Sequence, residues 1–291
     1  MRLVHFSDVH VGGLTADPTA CLDKRLAGLL NFMVRRRGRL HTDYLARALH
    51  RIRGLAPDLV VITGDLTTIG SSEEFATVLE LLAPLLNSRQ EVFYLPGNHD
   101  AYVSQRHCRA ALEDAFHRLN RGRWRLEELP VRFAVGPLTL LAVNECRPTA
   151  PWQSCGYLTP AATGQLLAWL DAPRHDGEKR LLIGHFPLRD SAGRRLGWRR
   201  RLHGADPLAA ALGDGRLDLA LCGHIHTPFR RDEANGAMEL CAGALTLHGL
   251  LNVVDYSPAS GRFSQHWESV ADDGPAPTLV GPILDPAGAG Q

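Results

Sequence analysis

Metal-binding residue types follow five short apolar runs of the chain, and glycine is part of four of these motifs. In chain order they are Asp8-Val9-His10, Gly64-Asp65, Gly97-Asn98-His99-Asp100, Gly184-His185 and Gly223-His224-Ile225-His226. Each motif alone is typical of a turn, but the five together predict a metal site. Imidazole, carboxylate and amide oxygen without cysteine suit Mn²⁺, Fe or Zn²⁺, and too few carboxylates are present for Ca²⁺.

The elements that must position these motifs are predicted to be strands, because they are short, apolar and often β-branched. Six such runs are Arg2–Ser7, Asp58–Thr63, Glu91–Leu95, Leu138–Asn144, Arg180–Gly184 and Asp218–Gly223. Residues just past the carboxyl ends of neighbouring strands converge on one crevice in an α/β sheet. We therefore expect the five motifs to meet.

Helices are predicted between the strands from their capping patterns. The candidate starts are Thr42, Ser71 with Glu74 as a capping box, Thr159-Pro160 and Asp206-Pro207. The alternation of strand and helix predicts an α/β layered fold.

The chain after Met238 is expected to contain no further helix. Strands at Met238–Ala242, Leu251–Tyr256 and Arg262–Trp267 are predicted to form a second sheet or an antiparallel edge. We expect one domain over residues 1–270, with a basic apolar insertion near 22–41. Residues 271–291 are rich in Pro, Gly and Ala and are predicted to form an extended or loose tail.

In their order, the five motifs resemble those of the calcineurin-like metallophosphoesterases, from residue 3 to about residue 255. The resemblance implies a four-layer αββα sandwich with mixed central sheets flanked by helices. It also implies two divalent ions, one held by Asp8, His10 and His226, the other by Asn98, His185 and His224, with Asp65 bridging both. His99 corresponds to the family's catalytic histidine. Asp100 is expected either to orient His99 or to act as a turn residue.

Such a site is suited to hydrolysis of a phosphodiester or pyrophosphate bond. Two divalent ions outweigh the charges of Asp8 and Asp65, so the site attracts both hydroxide and phosphate. With ions about 3.5 to 4 Å apart, both polarise one phosphoryl group while a bridging hydroxide attacks phosphorus. His99 is then placed to protonate the leaving oxygen or to stabilise its charge. We expect Mn²⁺, with Fe or Zn²⁺ as alternatives.

Basic residues cluster in two segments that follow the first and fourth motifs. Lys24–Arg39 contains six basic residues and Arg194–His203 five arginines, with no acidic residue in either. One interpretation is a core-facing helix with a solvated basic end. The favoured one is an interfacial element that rests on anionic lipid or binds an acylated, phosphorylated substrate, contacted by Arg194, Arg195 and Trp198. The first segment also loosely resembles UDP-diacylglucosamine hydrolases of the superfamily.

The favoured substrate is therefore a membrane-associated nucleotide-lipid such as UDP-diacylglucosamine. A soluble cyclic-nucleotide phosphodiesterase is the alternative. After Gly64-Asp65-Leu66, however, many relatives carry a further acidic residue where this chain reads Thr67-Thr68-Ile69-Gly70. A non-catalytic scaffold is disfavoured because all seven predicted ligand positions retain coordinating atoms. A nuclease is disfavoured because the basic segments lack spaced aromatic residues for stacking bases.

Composition argues against several other classes of protein. Lys+Arg 32 against Asp+Glu 31 leave a net charge of +1, which supplies no overall basic field for nucleic acid. No apolar run reaches the roughly 18 to 20 residues that cross a bilayer, and the first residues are too soon polar for a signal peptide. Six cysteines without a C-x-x-C pair are expected to be reduced and mostly buried. These features predict a cytoplasmic protein, and the lipid hypothesis adds peripheral binding to the inner face of the membrane.

Overall fold

The computed structural model describes residues 1–12, 15, 17, 20, 23–31 and 43–271. Several predictions fall outside them: the Thr42 cap, the arginines at positions 35, 36, 37 and 39, and the tail from residue 272 onward. Within the described part, strands and helices alternate as predicted.

The strands are β1 (Arg2–Phe6), β2 (Leu59–Ile62), β3 (Glu91–Tyr94), β4 (Val131–Val135), β5 (Leu138–Ala142), β6 (Gly156–Tyr157), β7 (Lys179–Ile183), β8 (Leu202–His203), β9 (Leu219–Cys222), β10 (Phe229–Asp232), β11 (Met238–Cys241), β12 (Leu250–Ser257) and β13 (Arg262–Ser269). The helices are α1 (Lys24–Asn31), α2 (Asp43–Leu55), α3 (Ser72–Leu86), α4 (Arg106–Leu119), α5 (Pro160–Asp171), α6 (Asp206–Gly213) and α7 (Leu245–His248). A 3-10 turn covers Leu126–Glu128.

Two mixed sheets form the centre of the molecule. The first has the order β13-β12-β1-β2-β3 and the second β10-β11-β9-β7-β5-β4. Strands β1, β2 and β3 run parallel, as do β5, β7, β9 and β11. The edges are antiparallel: β12 pairs with β1 and β13, β4 with β5, and β10 with β11. The three predicted late strands are thus divided, because β11 joins the second sheet while β12 and β13 extend the first.

The alternation of side chains along each strand builds four layers. Val4 and Val60 of the first sheet pack against α2, α3 and α4. Leu3 and Leu59 point the other way, into a core shared with the second sheet. The outer face of the second sheet packs on α5 and α6. The protein is therefore the predicted αββα sandwich.

Two of the predicted helix starts are confirmed. Ser71 Oγ accepts a hydrogen bond from the backbone N–H of Glu74, and the Glu74 carboxylate accepts one from the N–H of Ser71, which completes the capping box. Thr159 Oγ1 accepts from the N–H of Ala162 at 3.1 Å, with proline at the first helical position. The local sequence suffices for these caps because both partners lie within one turn.

Other local predictions are wrong. Asp206 is the first residue of α6 rather than its cap, and Ala205 takes the cap position. The Asp206 carboxylate instead forms ion pairs with Arg189 and Arg195, which the local sequence does not reveal. The one-turn helix α7 contradicts the expectation that helices stop at Met238. Helix α4 and strand β4 were not predicted.

The cysteine prediction is confirmed for the described residues, whose five cysteines are free and, apart from half-buried Cys146, buried. Cys21 lies outside those residues. In the part of the chain that the structure describes, no helix combines the length and the apolar character that crossing a bilayer requires.

Candidate metal centre

The carboxyl ends of five parallel strands bring the five motifs together. Asp8 and His10 follow β1, Asp65 follows β2, Asn98 and His99 follow β3, His185 follows β7, and His224 and His226 follow β9. Backbone hydrogen bonds tie neighbouring loops: the Asp8 N–H donates to Gly64 O at 3.0 Å and the His10 N–H to Asp65 O at 2.9 Å. The predicted convergence at the strand ends is thus present.

Four of the predicted ligands form a first group of donors. One ligand atom from each of Asp8, His10, Asp65 and His226 lies within 4.8 Å of all the others. His226 Nε2 is 3.0 Å from His10 Nε2 and 3.3 Å from Asp8 Oδ1. Two nitrogens and two carboxylate oxygens at these separations can share a single cation.

Asn98, His185 and His224 form a second group beside the first. Asn98 Oδ1 lies 3.2 Å from His185 Nε2 and 2.9 Å from His224 Nδ1. Asp65 stands between the two groups, because its Oδ1 is 3.5 Å from His185 Nε2 and its Oδ2 is 3.9 Å from His10 Nε2. One carboxylate oxygen faces each group, which is the placement that a ligand bridging two cations requires.

Backbone carbonyls set which nitrogen of three imidazoles carries hydrogen. The contacts are His10 Nδ1 to Thr67 O at 3.2 Å, His185 Nδ1 to Thr63 O at 2.6 Å and His224 Nε2 to Arg200 O at 2.9 Å. A carbonyl oxygen only accepts, so each contacted nitrogen donates. The other ring nitrogen then presents its lone pair to the donor groups, as metal-binding histidines do.

The electrostatics of the pocket also fit a cation. Asp8 Oδ1 is buried and has no hydrogen bond among the described residues. Burial opposes ionisation of Asp8, but its contact with His226 lowers the pKa of this carboxyl below its usual range. Burial lowers the pKa values of His185 and His224, which keeps both rings neutral. Buried lone pairs without hydrogen-bond donors are costly unless a cation binds them.

Five of the predicted ligands lie on backbone in the left-handed region. The φ angles are 54° at Asp8, 50° at His10, 53° at Asp65, 71° at His224 and 63° at His226. Among the described residues, only two other non-glycine positions have positive φ, Ala56 and Arg121. Such conformations are unfavourable for most residues and concentrate at functional sites, where tight turns aim side chains inward.

Close approach of the loops depends on glycine at two positions. A Cβ atom on Gly97 would overlap the carboxylate and the backbone nitrogen of Asp65, and would lie 2.7 Å from His185 Cε1. A Cβ atom on Gly223 would overlap Ser7 and the Asp8 carboxylate. The glycines of these motifs therefore make space for the ligands themselves.

His99 lies at the edge of the donor groups and outside both of them. Its Nδ1 is 2.6 Å from the carbonyl oxygen of Thr68, which fixes Nδ1 as the protonated nitrogen. Its backbone N–H donates to Asp65 Oδ1 at 2.7 Å. The ring meets His10 edge-on at 4.8 Å between centroids and stacks on Tyr102 at 5.3 Å. These contacts fix the orientation of the half-buried ring.

One partner of the His99 ring is the Thr68 carbonyl, and the expectation that Asp100 orients His99 stays a prediction. The buried Asp100 carboxylate accepts five hydrogen bonds, from the N–H groups of Leu66, Thr67 and Gly97 and from the hydroxyls of Thr67 and Tyr94. Asp100 therefore joins the loop after β2 to the loop after β3. It positions the backbone that carries Asp65 and Asn98.

Glu145 is a buried residue of the site that the sequence reasoning missed. Its Oε2 accepts hydrogen bonds from the backbone N–H groups of His185 and Phe186, each at 2.8 Å. Burial raises the pKa of Glu145 to about 8, although these two N–H groups oppose the shift. The signal was available, because Glu145 follows the predicted strand Leu138–Asn144 at the same sheet edge as the ligands.

The first basic segment begins differently from the prediction. Arg25 is fully buried and forms ion pairs with Asp17 and Asp23, so it belongs to the interior rather than to a cationic surface. The acidic partners lie just before the segment, where a count restricted to Lys24–Arg39 does not include them. Residues 32–42, which include the rest of this segment, lie outside the described residues.

The second basic segment does border the site, through its backbone, because the Arg200 carbonyl contacts the His224 ring. The side chains predicted to bind substrate are exposed. Arg194 pairs with Asp190 at 3.0 Å and Arg195 with Asp206 at 2.6 Å, while the indole of Trp198 is 52% exposed. Existing ion pairs make the two arginines weaker candidates than the sequence indicated.

Comparison with known proteins agrees with this geometry. Residues 1–228 match the sequence profile described as "Calcineurin-like phosphoesterase". The chain belongs to this family. Family membership makes it a metal-dependent phosphoester hydrolase, and the Asp, His and Asn donors of this phosphoesterase fit a divalent metal centre.

Individual relatives of this phosphoesterase are distant. A 3′,5′-cyclic-nucleotide phosphodiesterase of Nostoc sp. (strain PCC 7120) is 27% identical over 204 residues, which cover 67% of this chain and 66% of that protein. A dimetal phosphatase from Danio rerio superimposes with a TM-score of 0.60 at 14% identity, over 87% of this chain and 91% of that one. A purple acid phosphatase from yellow lupin (Lupinus luteus) superimposes with a TM-score of 0.58 at 12% identity, over 93% of this chain and 52% of that one. These structures share the fold.

Proposed function

We propose that residues 1–270 form a phosphoesterase domain that hydrolyses a phosphodiester or pyrophosphate bond at a dinuclear metal centre. The observation that carries this proposal is the position of Asp65. Its two carboxylate oxygens face two separate groups of donor atoms, one with Asp8, His10 and His226 and the other with Asn98, His185 and His224. A single-ion site would leave one of those groups without a function.

Two divalent ions bound there would polarise the phosphoryl group and lower the pKa of a water molecule. We propose Mn²⁺ for both positions, with Fe or Zn²⁺ as alternatives, because nitrogen and oxygen donors without thiolate suit all three. The left-handed backbone at Asp8, His10 and Asp65 holds these ligands in place before any ion binds. The loops thus supply a preorganised site.

His99 is proposed as the group that assists the leaving oxygen. The Thr68 carbonyl keeps hydrogen on Nδ1, so a second proton on Nε2 makes the ring a cation that can donate to that oxygen. Stacking on Tyr102 and the edge-on contact with His10 limit rotation of the ring. Asp100 supports this arrangement indirectly, by fixing the two loops.

The favoured substrate is a membrane-associated nucleotide-lipid such as UDP-diacylglucosamine. Three large apolar side chains are exposed on adjoining segments: Leu26 at 40%, Trp152 at 66% and Trp198 at 52%. A hydrogen bond from the Ser154 N–H to Arg199 O joins the segments of the two tryptophans. Exposed indoles beside arginines are typical of surfaces that bind anionic lipid.

A soluble cyclic nucleotide is the second candidate substrate, and the Nostoc relative favours it. The loop after Asp65 argues against a direct transfer. This loop lacks the further acidic residue that many relatives carry after Gly64-Asp65-Leu66, and within it the Thr68 backbone carbonyl contacts the His99 ring. The two candidate substrates differ in whether their binding should depend on the exposed side chains of Trp152 and Trp198.

The test is hydrolysis by the Mn²⁺-reconstituted protein of bis(p-nitrophenyl) phosphate, cyclic AMP and UDP-diacylglucosamine, with and without chelator. The proposal expects chelator-sensitive hydrolysis and the highest kcat/KM for the nucleotide-lipid. Replacing Trp152 and Trp198 together by Ser should reduce binding to vesicles of anionic lipid, whereas Leu81→Ser, at a position on α3 that is 42% exposed, serves as the matched control. A preference for cyclic AMP without vesicle binding would select the second candidate. No hydrolysis of any substrate would contradict the proposal.

A further inference from the structure

We infer that Lys24 and Arg147 form a binding site for a second anionic group of the substrate, beside the metal centre. The inference rests on the proposed function and adds to it two residues that would select nucleoside diphosphate derivatives, the class to which the favoured substrate belongs. Arg147 belongs to none of the sequence motifs, whereas Lys24 is the first residue of the basic segment Lys24–Arg39. Both are placed by contacts that lead back to the metal-binding loops.

Lys24 and His99 both contact the ring of Tyr102. The Lys24 ammonium lies 4.0 Å from the centroid of the Tyr102 ring, and Tyr102 stacks on His99 with an interplanar angle of 13°. Helix α1 reaches this position because Gly28 has no side chain. A Cβ atom there would lie 2.8 Å from Ile69 Cγ2 and 2.9 Å from the Tyr102 hydroxyl. The helix is therefore packed against the loops that position His99.

Arg147 lies on the loop that follows β5 of the second sheet. It lies two residues after Glu145, whose carboxylate holds the backbone of His185. The guanidinium carbon is 3.4 Å from the centroid of the Tyr157 ring, and Tyr157 stacks in turn on His203. The cation–π contact with Tyr157 holds the guanidinium group over the face of that ring.

A short loop connects the two cations. Lys24 Nζ donates hydrogen bonds to the carbonyl and the hydroxyl of Thr149, at 3.2 and 3.4 Å, and Thr149 is two residues from Arg147. Lys24 therefore contacts the same loop that carries Arg147.

Both cations are available to an anion, because neither forms an ion pair with a carboxylate of the described residues. The neighbouring Asp23 is occupied by Arg25. Arg194 and Arg195 differ, since each already pairs with an aspartate. Burial lowers the pKa of Lys24 to about 8, so the ammonium has lost part of its hydration. A phosphate oxygen would replace that water with a charge-assisted hydrogen bond.

The chemistry of the site selects the class of ligand. One phosphoryl group would occupy the metal centre, and a second phosphate linked to it would lie against Lys24 and Arg147. A nucleoside diphosphate derivative has this second phosphate. A simple phosphodiester such as bis(p-nitrophenyl) phosphate, and a cyclic nucleotide, have a single anionic group and would gain nothing from the two cations.

The experiment compares UDP-glucose with bis(p-nitrophenyl) phosphate in the Mn²⁺-loaded protein and in Lys24→Met and Arg147→Met. Methionine keeps an apolar stem and removes the charge. We expect the ratio of kcat/KM for UDP-glucose to that for the aryl diester to fall about ten- to a hundredfold in each variant, mainly through KM, as loss of a charge-assisted hydrogen bond predicts. Arg147→Lys should recover part of the loss.

The matched control is Arg89→Met. Arg89 is exposed and precedes β3, so it lies at the opposite edge of the sheet from the metal site. The ratio should not change in this variant. An unchanged ratio in both Lys24→Met and Arg147→Met would overturn the inference, as would a wild-type protein that cleaves the diester but not UDP-glucose. Absence of hydrolysis of either substrate would instead contradict the proposed function.

Discussion

Replacement of Asp100 by Asn separates a structural role of this carboxylate from a catalytic one. The two side chains have the same shape, but Asn replaces one accepting oxygen by an NH₂ group. In the Oδ2 position that group would face the N–H groups of Leu66 and Gly97. In the Oδ1 position it faces one N–H, that of Thr67 at 2.9 Å. Hydroxyl groups can rotate to accept a hydrogen bond and N–H groups cannot, so the second orientation costs less.

The number of buried N–H groups that lose their acceptor sets the expected loss of stability. Even in the better orientation, the Thr67 N–H loses a bond to a charged acceptor and is left buried without a partner. A buried unsatisfied donor costs about 1–3 kcal/mol, and weakening of the remaining bonds to a now neutral group adds to it. We predict a loss of roughly 2–5 kcal/mol in the free energy of unfolding. Tyr94→Phe removes a single hydrogen bond to the same carboxylate and should cost about 1.5–3 kcal/mol.

The assay is urea unfolding of the metal-depleted variants followed by circular dichroism, together with the pH dependence of kcat for the metal-loaded protein at low temperature. The account expects Asp100→Asn to unfold at lower urea while its folded fraction keeps the pH profile of the wild type. Wild-type stability combined with a shifted pH profile or a large fall in kcat would refute it. Asp100 would then act on the reacting groups.

Substitutions of Gly97, His99 and Glu74 test other residues in and around the site. Gly97→Ala should reduce metal content and should lower the free energy of unfolding by about 1–3 kcal/mol, because the added Cβ atom overlaps Asp65. The control Gly164→Ala, in open space on α5, should be neutral or should raise the free energy of unfolding by up to about 1 kcal/mol. Equal behaviour of the two variants in urea unfolding would contradict the close approach of Gly97 to Asp65. His99→Ala should keep both metals and lower kcat by about 10² to 10⁴, with a smaller loss for good leaving groups; loss of metal in elemental analysis would make His99 a ligand. Burial raises the pKa of Glu74 to about 7, so its protonated form favours folding below the ordinary carboxyl pKa and that contribution disappears as pH rises through 7. The free energy of unfolding of the wild type, measured relative to that of Glu74→Gln, should therefore fall by about 1–3 kcal/mol from pH 4 to 8. A constant difference between the two proteins would show that Glu74 does not titrate in this range.

The sequence predicted the parts of this structure that depend on short-range patterns. Strand positions and the Ser71 capping box follow from periodicity and from residues within one turn. The convergence of the motifs follows from a general property of parallel strands, so Asp8, Asp65 and His185 could be placed at one edge before any coordinates existed.

The remaining features depend on contacts between distant segments. Arg25 belongs to a run of basic residues, and only the folded chain shows that it is buried in ion pairs with Asp17 and Asp23, which lie just before that run. Asp206 was read as a helix cap because the sequence does not show that Arg189 and Arg195 compete for its carboxylate. Asp100 has a turn-forming sequence around it, but three of its five hydrogen bonds come from Leu66 and Thr67, more than thirty residues earlier in the chain.

The central claim is that each chain binds two metal ions bridged by Asp65. It is tested most directly by elemental analysis of the reconstituted protein and of Asp65→Asn, with hydrolysis of bis(p-nitrophenyl) phosphate measured on the same samples. The account predicts two ions per chain and turnover in the wild type, with lost metal and no turnover in Asp65→Asn, because a neutral amide does not bridge two cations as a carboxylate does. A single ion in the fully active wild type, or two ions and full turnover in Asp65→Asn, would contradict it.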